Sequence, residues 1–318
     1  MTSESGNLKC KILNFKFWFY IFHFAFFIGV LPIYAEEPVT LEYHYTPGKA
    51  LHYRYEVTMS GSQKNSGEEA QKEPPLKEAD TFSAKMNSKI TMEAKKVDPD
   101  GSAWVDVRYD AFDMSQTVNG KEVPLGGEEG KPGESPFKDL IGKTISMHFQ
   151  KNGKLLEAAS APKGMKNPSL DQLFGQMEGI FPDHPVRLGD SWVKKLNLPI
   201  EGVTQKVAAD FQNTLESFEK VGKHNCAKIK SVLKFSLPEG KVNPQGAETP
   251  LGISVKMEGS GELWQYFDVS EGMVVKTEGA TKTASTQSIT VPATEDAKAR
   301  TLSSVSTMDM RFKTELEE

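Results

Sequence analysis

The sequence predicts a mainly β protein: one large curved antiparallel sheet, a half-barrel of about ten strands, with one or two short helices packed on it or closing it. Three observations predict this. Apolar residues recur at every second position over most of the chain, the period of a strand with one covered face. Turn signals separate the apolar runs at short intervals, so strands adjacent in sequence pair as antiparallel neighbours. Helical spacing is clear in one short stretch.

The first element precedes the fold. Lys9, Lys11 and Lys16 lead into "FWFYIFHFAFFIGVLPIYA" (17–35), which passes Pro32 and ends at Ala35 ahead of "EEP". A positive end, an apolar core and a small boundary residue make 1–35 a signal peptide, with cleavage expected after Ala35. Left uncut, 17–34 is long enough to anchor the chain in a membrane. The released chain is expected in the periplasm or outside the cell. Three lysines and one glutamate leave with the peptide, taking the net charge from −5 to −7. An acidic chain without a Lys/Arg block speaks against a nucleic-acid partner. Cys10 leaves too, so Cys226 stays alone and stability must come from burial, not from an internal disulfide.

Residues 36–318 read as a single β-rich domain, with a division into two lobes near 165–200 left open. In "LHYRYEVTM", Leu51, Tyr53, Tyr55, Val57 and Met59 alternate with polar neighbours. Phe82, Ala84, Met86, Ile90, Met92 and Ala94 do the same, and Asp98-Pro99-Asp100-Gly101 turns the chain into Ala103, Val105, Val107, Tyr109 and Ala111. That is a long hairpin. A further hairpin turns at "KNGK" between Phe149 and Leu155, another at "SEG" (270–272), and a last strand runs from 301 to 316. Residues 204–218 fit a helical stripe or a strand. Because 226–237 alternates cleanly, the stretch is read as its hairpin partner, turning at Gly222. The helix is placed at 168–179, where Leu170, Leu173, Phe174 and Met177 share one face behind Pro168 and Ser169. Four stretches rich in Gly, Pro and charge, 60–80, 119–136, 238–250 and 290–299, read as loops.

The motif with the strongest chemical suggestion is "FPDHPVRLGDSWVKK" (181–195), where Gly189-Asp190-Ser191 matches the nucleophile signature of one class of ester hydrolases. A serine nucleophile needs a base within hydrogen-bond reach and an oxyanion hole on a strand-to-helix turn. Here hairpins surround the motif and no histidine follows His224. The segment therefore reads as a tight turn delivering Trp192 into the core, and a Ser191 esterase is the remote alternative. His44, His52, His148, His184 and His224 show no metal-ligand spacing. Residues 98–101 open like a calcium loop, but Ala103 and Val105 fall where ligands belong. Gly259-Ser260-Gly261 reads as a bulge or bend in a strand. No phosphate-cradling motif occurs, and the chain is read as a non-enzyme without a cofactor or metal.

What remains is the make-up of one sheet face. Tyr53, Tyr55, Met59, Met86, Met92 and Tyr109 are large and adaptable, and methionine accommodates varied apolar shapes. With Phe174 and Met177 from the helix they are the candidate ligand-binding residues; the plain alternative is a packed core.

Three stretches, "LEYHYTPGKALHYRYEV", "FPDHPVRLGDSW" and "GSGELWQYFDVSEGMV", resemble a group of exported bacterial proteins of unknown function. That group is distantly similar to the lipoprotein-carrier half-barrels of the LolA and LppX type. The resemblance implies a curved antiparallel sheet around an apolar cavity, with the Gly-Asp-Ser-Trp segment opening a strand. On this reading the protein is a non-enzymatic envelope protein that binds a lipid, an acyl chain or another apolar ligand. The alternative is an interaction scaffold whose sheet is fully packed and whose edge or loops hold another envelope protein.

Overall fold

Long alternating runs form long strands. The computed structural model describes residues 37–67, 80–123, 141–158, 181–199, 206–242, 252–291 and 300–318. They contain twelve strands: β1 (Ala50–Gly67), β2 (Asp80–Val97), β3 (Ala103–Val118), β4 (Lys121–Glu122), β5 (Thr144–Phe149), β6 (Leu155–Ala158), β7 (Ser191–Pro199), β8 (Lys206–Val221), β9 (His224–Val242), β10 (Gly252–Asp268), β11 (Met273–Val291) and β12 (Arg300–Glu317). All lie in one open antiparallel sheet, in the order β6-β5-β3-β2-β1-β12-β11-β10-β9-β8-β7, with β4 paired to β3 off that path. The expectation of about ten strands is short by two, and β4, at two residues, is below what alternation can resolve. No helix occurs among the described residues; the stretch expected to be helical, 168–179, and the expected signal peptide lie outside them.

Most neighbours in the sheet are consecutive in the chain, except β3 with β5 and, across nearly the whole sequence, β1 with β12. Strand β12 returns from the C-terminal end and sits between β1 and β11, pairing with β1 from His52↔Glu317 to Gly67↔Leu302. Of the stretch 204–218, the described residues, from Lys206 on, belong to strand β8, as their pairing with the alternating β9 predicted. Strands also run on into stretches that read as loops by composition, β1 as far as Gly67 and β9 as far as Val242. There the backbone ladder outweighs weak local propensity, and hydroxyls pair across it, as with Ser62 and Thr307 at 3.2 Å.

The register sorts side chains into two faces. Across one row of the sheet lie Tyr55 on β1, Ser88 on β2 and Thr314 on β12; in the next are Val57, Met86 and Phe312. Two clusters are buried on that face. Ile90, Val105, Val107, Ile145, Met147 and Phe149 form one, and Leu215, Ala227, Ile229 and Phe267 form the other with Trp192, Phe181 and Leu41. Further along the strands, Met59, Met86, Met114, Met308 and Met310 stay half-buried on the same face, alternating with polar neighbours, most of them exposed.

Gly259 and Gly261 do not mark a bulge: β10 keeps its register through them and shifts at Val255/Met257 and Tyr266/Phe267 instead. Their role is close approach. A Cβ on Gly259 would stand 2.2 Å from the Phe235 ring, which lies over the bare backbone.

The unit from Pro38 to Glu318 holds every strand, and residues 38–49 tie it together at one end. Val39 bridges to Val186 ahead of β7. The Tyr43 N–H donates to the Lys151 carbonyl in the β5–β6 turn at 2.6 Å, the His44 N–H to Gly272 in the β10–β11 turn, and the Gly48 N–H to Ala94 of β2. Asn152 in the β5–β6 turn also donates to Asp183, 3.0 Å away, in the approach to β7. The two margins of the sheet thus meet at this segment.

Candidate functional site

Beneath residues 43–49 lies a cavity of about 450 Å³. Tyr43, Tyr45 and Lys49 form its roof, Tyr53, Tyr55 and Val57 of β1 its floor, and Met92, Phe149, Met273 and Phe312 its walls. Alternation puts Tyr53, Tyr55 and Val57 on one side of β1. Pro47 and Gly48 turn the roof segment back toward the sheet, and Gly48 has φ near +79°.

The tyrosines are held by their rings and by their hydroxyls. Tyr43 stacks on Tyr45 at 5.8 Å between ring centres and packs against Phe181 and Phe267 at 5.3 and 5.5 Å. The Tyr53 hydroxyl donates to the Val274 carbonyl at 2.9 Å. That carbonyl needs a donor, because the β11–β12 ladder stops at Lys276↔Glu315 while β12 stays paired with β1 as far as Glu317. The two strands split here, and a side chain completes the bond that the ladder leaves out. Burial pushes all four phenols up: Tyr55 to about 12, with Tyr109 adding to the effect, and Tyr43, Tyr45 and Tyr53 further still. The side-chain oxygen of Gln265, also on the cavity wall, is buried without a hydrogen-bond partner. At the rim, Lys49 pairs with Glu271 at 2.8 Å.

Of the candidate residues, Tyr53, Tyr55 and Met92 line this cavity. Tyr109 shares their face but packs on the cluster around Ile90 and Val107. Met59 and Met86 lie on the same face one step beyond the cavity. Phe174 and Met177 fall outside the described residues. Sequence reasoning missed Tyr43 and Tyr45, although "LEYHY" carries the signal in the alternation of Leu41, Tyr43 and Tyr45.

Ser191 is the first residue of β7, exposed, with its hydroxyl 2.8 Å from that of Thr214 on β8. Asp190 closes the preceding turn by accepting the Arg187 N–H, and Trp192 enters the core. Asp98 to Gly101 is a turn closed by a 2.9 Å backbone bond.

A second constellation was not foreseen. His224 opens β9 and is buried, with Nδ1 2.7 Å from Oδ2 of Asp268 at the end of β10. Oδ1 of Asp268 accepts the Ser270 and Glu271 N–H groups and the Ser270 hydroxyl. Burial alone would raise this carboxyl; the hydrogen bonds from Ser270, Glu271 and His224 together hold it below the usual carboxylate range. Cys226, opposite Asp268, is fully buried, and burial with that carboxylate pushes its thiol up to about 11. Among the described residues no group of three or more His, Cys, Asp or Glu side chains is arranged to hold a metal, and no helix is long and apolar enough to cross a membrane.

No protein-family profile and no curated protein matches the chain. Among solved structures, OmpT of Vibrio cholerae, an outer membrane protein with its loop L8 deleted, aligns over 84% of this chain and 100% of that chain, at 9% identity and a TM-score of 0.11. A likeness at that level bears on neither fold nor function.

Proposed function

We propose that this protein is a non-enzymatic envelope protein that holds a lipid, an acyl chain or another apolar ligand on the inner face of a half-barrel. The observation that carries the reading is the cavity under residues 43–49. Its volume of about 450 Å³ falls within the range of small-molecule sites, and its lining is mostly aromatic and aliphatic. Two further features support it. The margins of the sheet meet through Asn152 and Asp183 and through the segment that joins Lys151 to Val186, which a wide sheet achieves by curling. The face that lines the cavity also continues along the strands as half-buried methionines, a surface that adapts to chains of different shape. A larger groove of about 790 Å³ lies mainly on the opposite side, but serines, threonines and charged groups such as Lys85, Glu262 and Arg311 dominate it, as on a solvated face.

Native mass spectrometry of the protein taken from its own envelope without detergent tests the reading. The expected result is a discrete added mass that passes into organic solvent. Bare protein, or protein carrying a second polypeptide, favours the scaffold instead. Met92→Lys places a charge in the cavity wall; it should abolish the added mass while the circular dichroism stays that of the parent.

A further inference from the structure

The split between β11 and β12 holds two acceptors that face each other. Next to the rim of the tyrosine cavity, with Lys49 and Glu271 lining both, the gap opens into a space of about 480 Å³, lined also by His52, His224, Asp268, Glu318 and Lys223. The His224 side chain is 7% exposed and its partner Asp268 4%. Because Asp268 takes the Nδ1 proton, neutral imidazole leaves a lone pair on Nε2, and Nε2 is buried without a hydrogen-bond partner. The nearest acidic group is the carboxylate of Glu318, whose Oε1 stands 3.5 Å from Nε2. A lone pair and a carboxylate oxygen repel unless positive charge sits between them, and a buried nitrogen left unpaired is costly.

The spacing says which positive charge fits. A proton shared by imidazole and carboxylate draws the two atoms to about 2.7–2.9 Å. Two ligands on a tetrahedral zinc-like ion, each about 2.0–2.2 Å from the metal, stand about 3.4 Å apart. The support is that of a metal-bound histidine as well: a carboxylate on the other ring nitrogen, itself fixed by hydrogen bonds. We infer that His224 Nε2 and Glu318 form a site for a first-row divalent cation of the zinc class, with waters completing its shell. Such an ion joins the start of β9 to the residue that follows β12 and so braces the same split that Tyr53 bridges. Lys223 Nζ, 3.7 Å from Oε2 of Glu318 and exposed, can swing away into solvent.

Zn²⁺ titration of the full chain by calorimetry, with thermal unfolding as a second readout, tests this. Saturable binding near one equivalent and a raised unfolding temperature are expected. Glu318→Ala, at an exposed position, should weaken binding at least tenfold and abolish the thermal shift. Asp268→Asn should weaken it by about 10- to 100-fold, whereas Glu317→Ala should leave it unchanged. The inference is overturned by no saturable binding at millimolar Zn²⁺. It is overturned equally by binding indifferent to Glu318→Ala, or by stabilisation that comes with acid alone and owes nothing to metal.

Discussion

The hydroxyl of Tyr53 does work that backbone does elsewhere in the sheet. It reaches the carbonyl of Val274, just beyond the point where β12 leaves β11. Tyr53→Phe keeps the ring and removes only that bond, so urea unfolding should show a loss of about 1 kcal/mol, rising toward 3 if the carbonyl stays dry. The same four phenols make the molecule sensitive to base. A group whose value is raised by folding contributes fully below its unfolded value, near 10, and loses that contribution as pH climbs toward its folded value. With Tyr55 at about 12 and Tyr43, Tyr45 and Tyr53 higher, stability should fall steeply between about pH 10 and 12. Phenolate absorbance and circular dichroism should then change together; phenolate forming over a pH range where the fold persists would show the cavity open to solvent. At this scale the sequence was partly legible. Tyr53, Tyr55 and Met92 share a face by simple alternation. Tyr109 has the same parity but a different neighbour, and parity does not say which. The pairing of His224 with Asp268 joins residues 44 apart in the chain, which no local pattern announces.

At the scale of elements, segment 38–49 is the piece whose role was hidden. Alternation found most strands because each is long and paired with its sequence neighbour. Residues 38–49 make a pair of backbone bonds with Val186 and one each to Lys151, Gly272 and Ala94, so no ladder repeats their pattern and the run is too brief to stand out. Two substitutions test how much depends on it. Leu41 is 1% exposed, between Phe181 and the β8–β10 cluster; Leu41→Ala should cost about 2–5 kcal/mol. Gly272 has φ +61°, and a Cβ there would stand 2.3 Å from the His44 backbone nitrogen, so Gly272→Ala forces the roof off its turn. Its cost should exceed about 1 kcal/mol, and it should weaken apolar ligand more than Gly120→Ala. Gly120 also has positive φ, but the space around it is open, so it controls for backbone strain alone.

At the scale of the whole molecule, the placing of β12 decides whether there is one sheet or two. β1, β2, β3, β5 and β6 form one flank and β7 to β11 the other, each closed mainly by hairpins between successive strands; the strand between the flanks is the last one made. Sequence alternation identified β12 as a strand but could not say where it pairs, because its partner β1 lies some 250 residues earlier and register is set by burial, not by proximity. A chain ending before Arg300 therefore leaves β1 and β11 as raw edges beside each other. Such edges pair with other chains, and losing a central strand removes interactions comparable with the roughly 5–15 kcal/mol by which a domain is stable. The shortened chain should lose its cooperative urea transition and associate at micromolar concentration, as seen by light scattering. Adding the peptide Arg300–Glu317 in trans should restore a single transition, because both of its ladders are antiparallel and its register is fixed on each side. If the shortened chain instead unfolds cooperatively at the parental midpoint, the flanks hold each other through segment 38–49 and the two core clusters, and β12 is an addition to a sheet already complete.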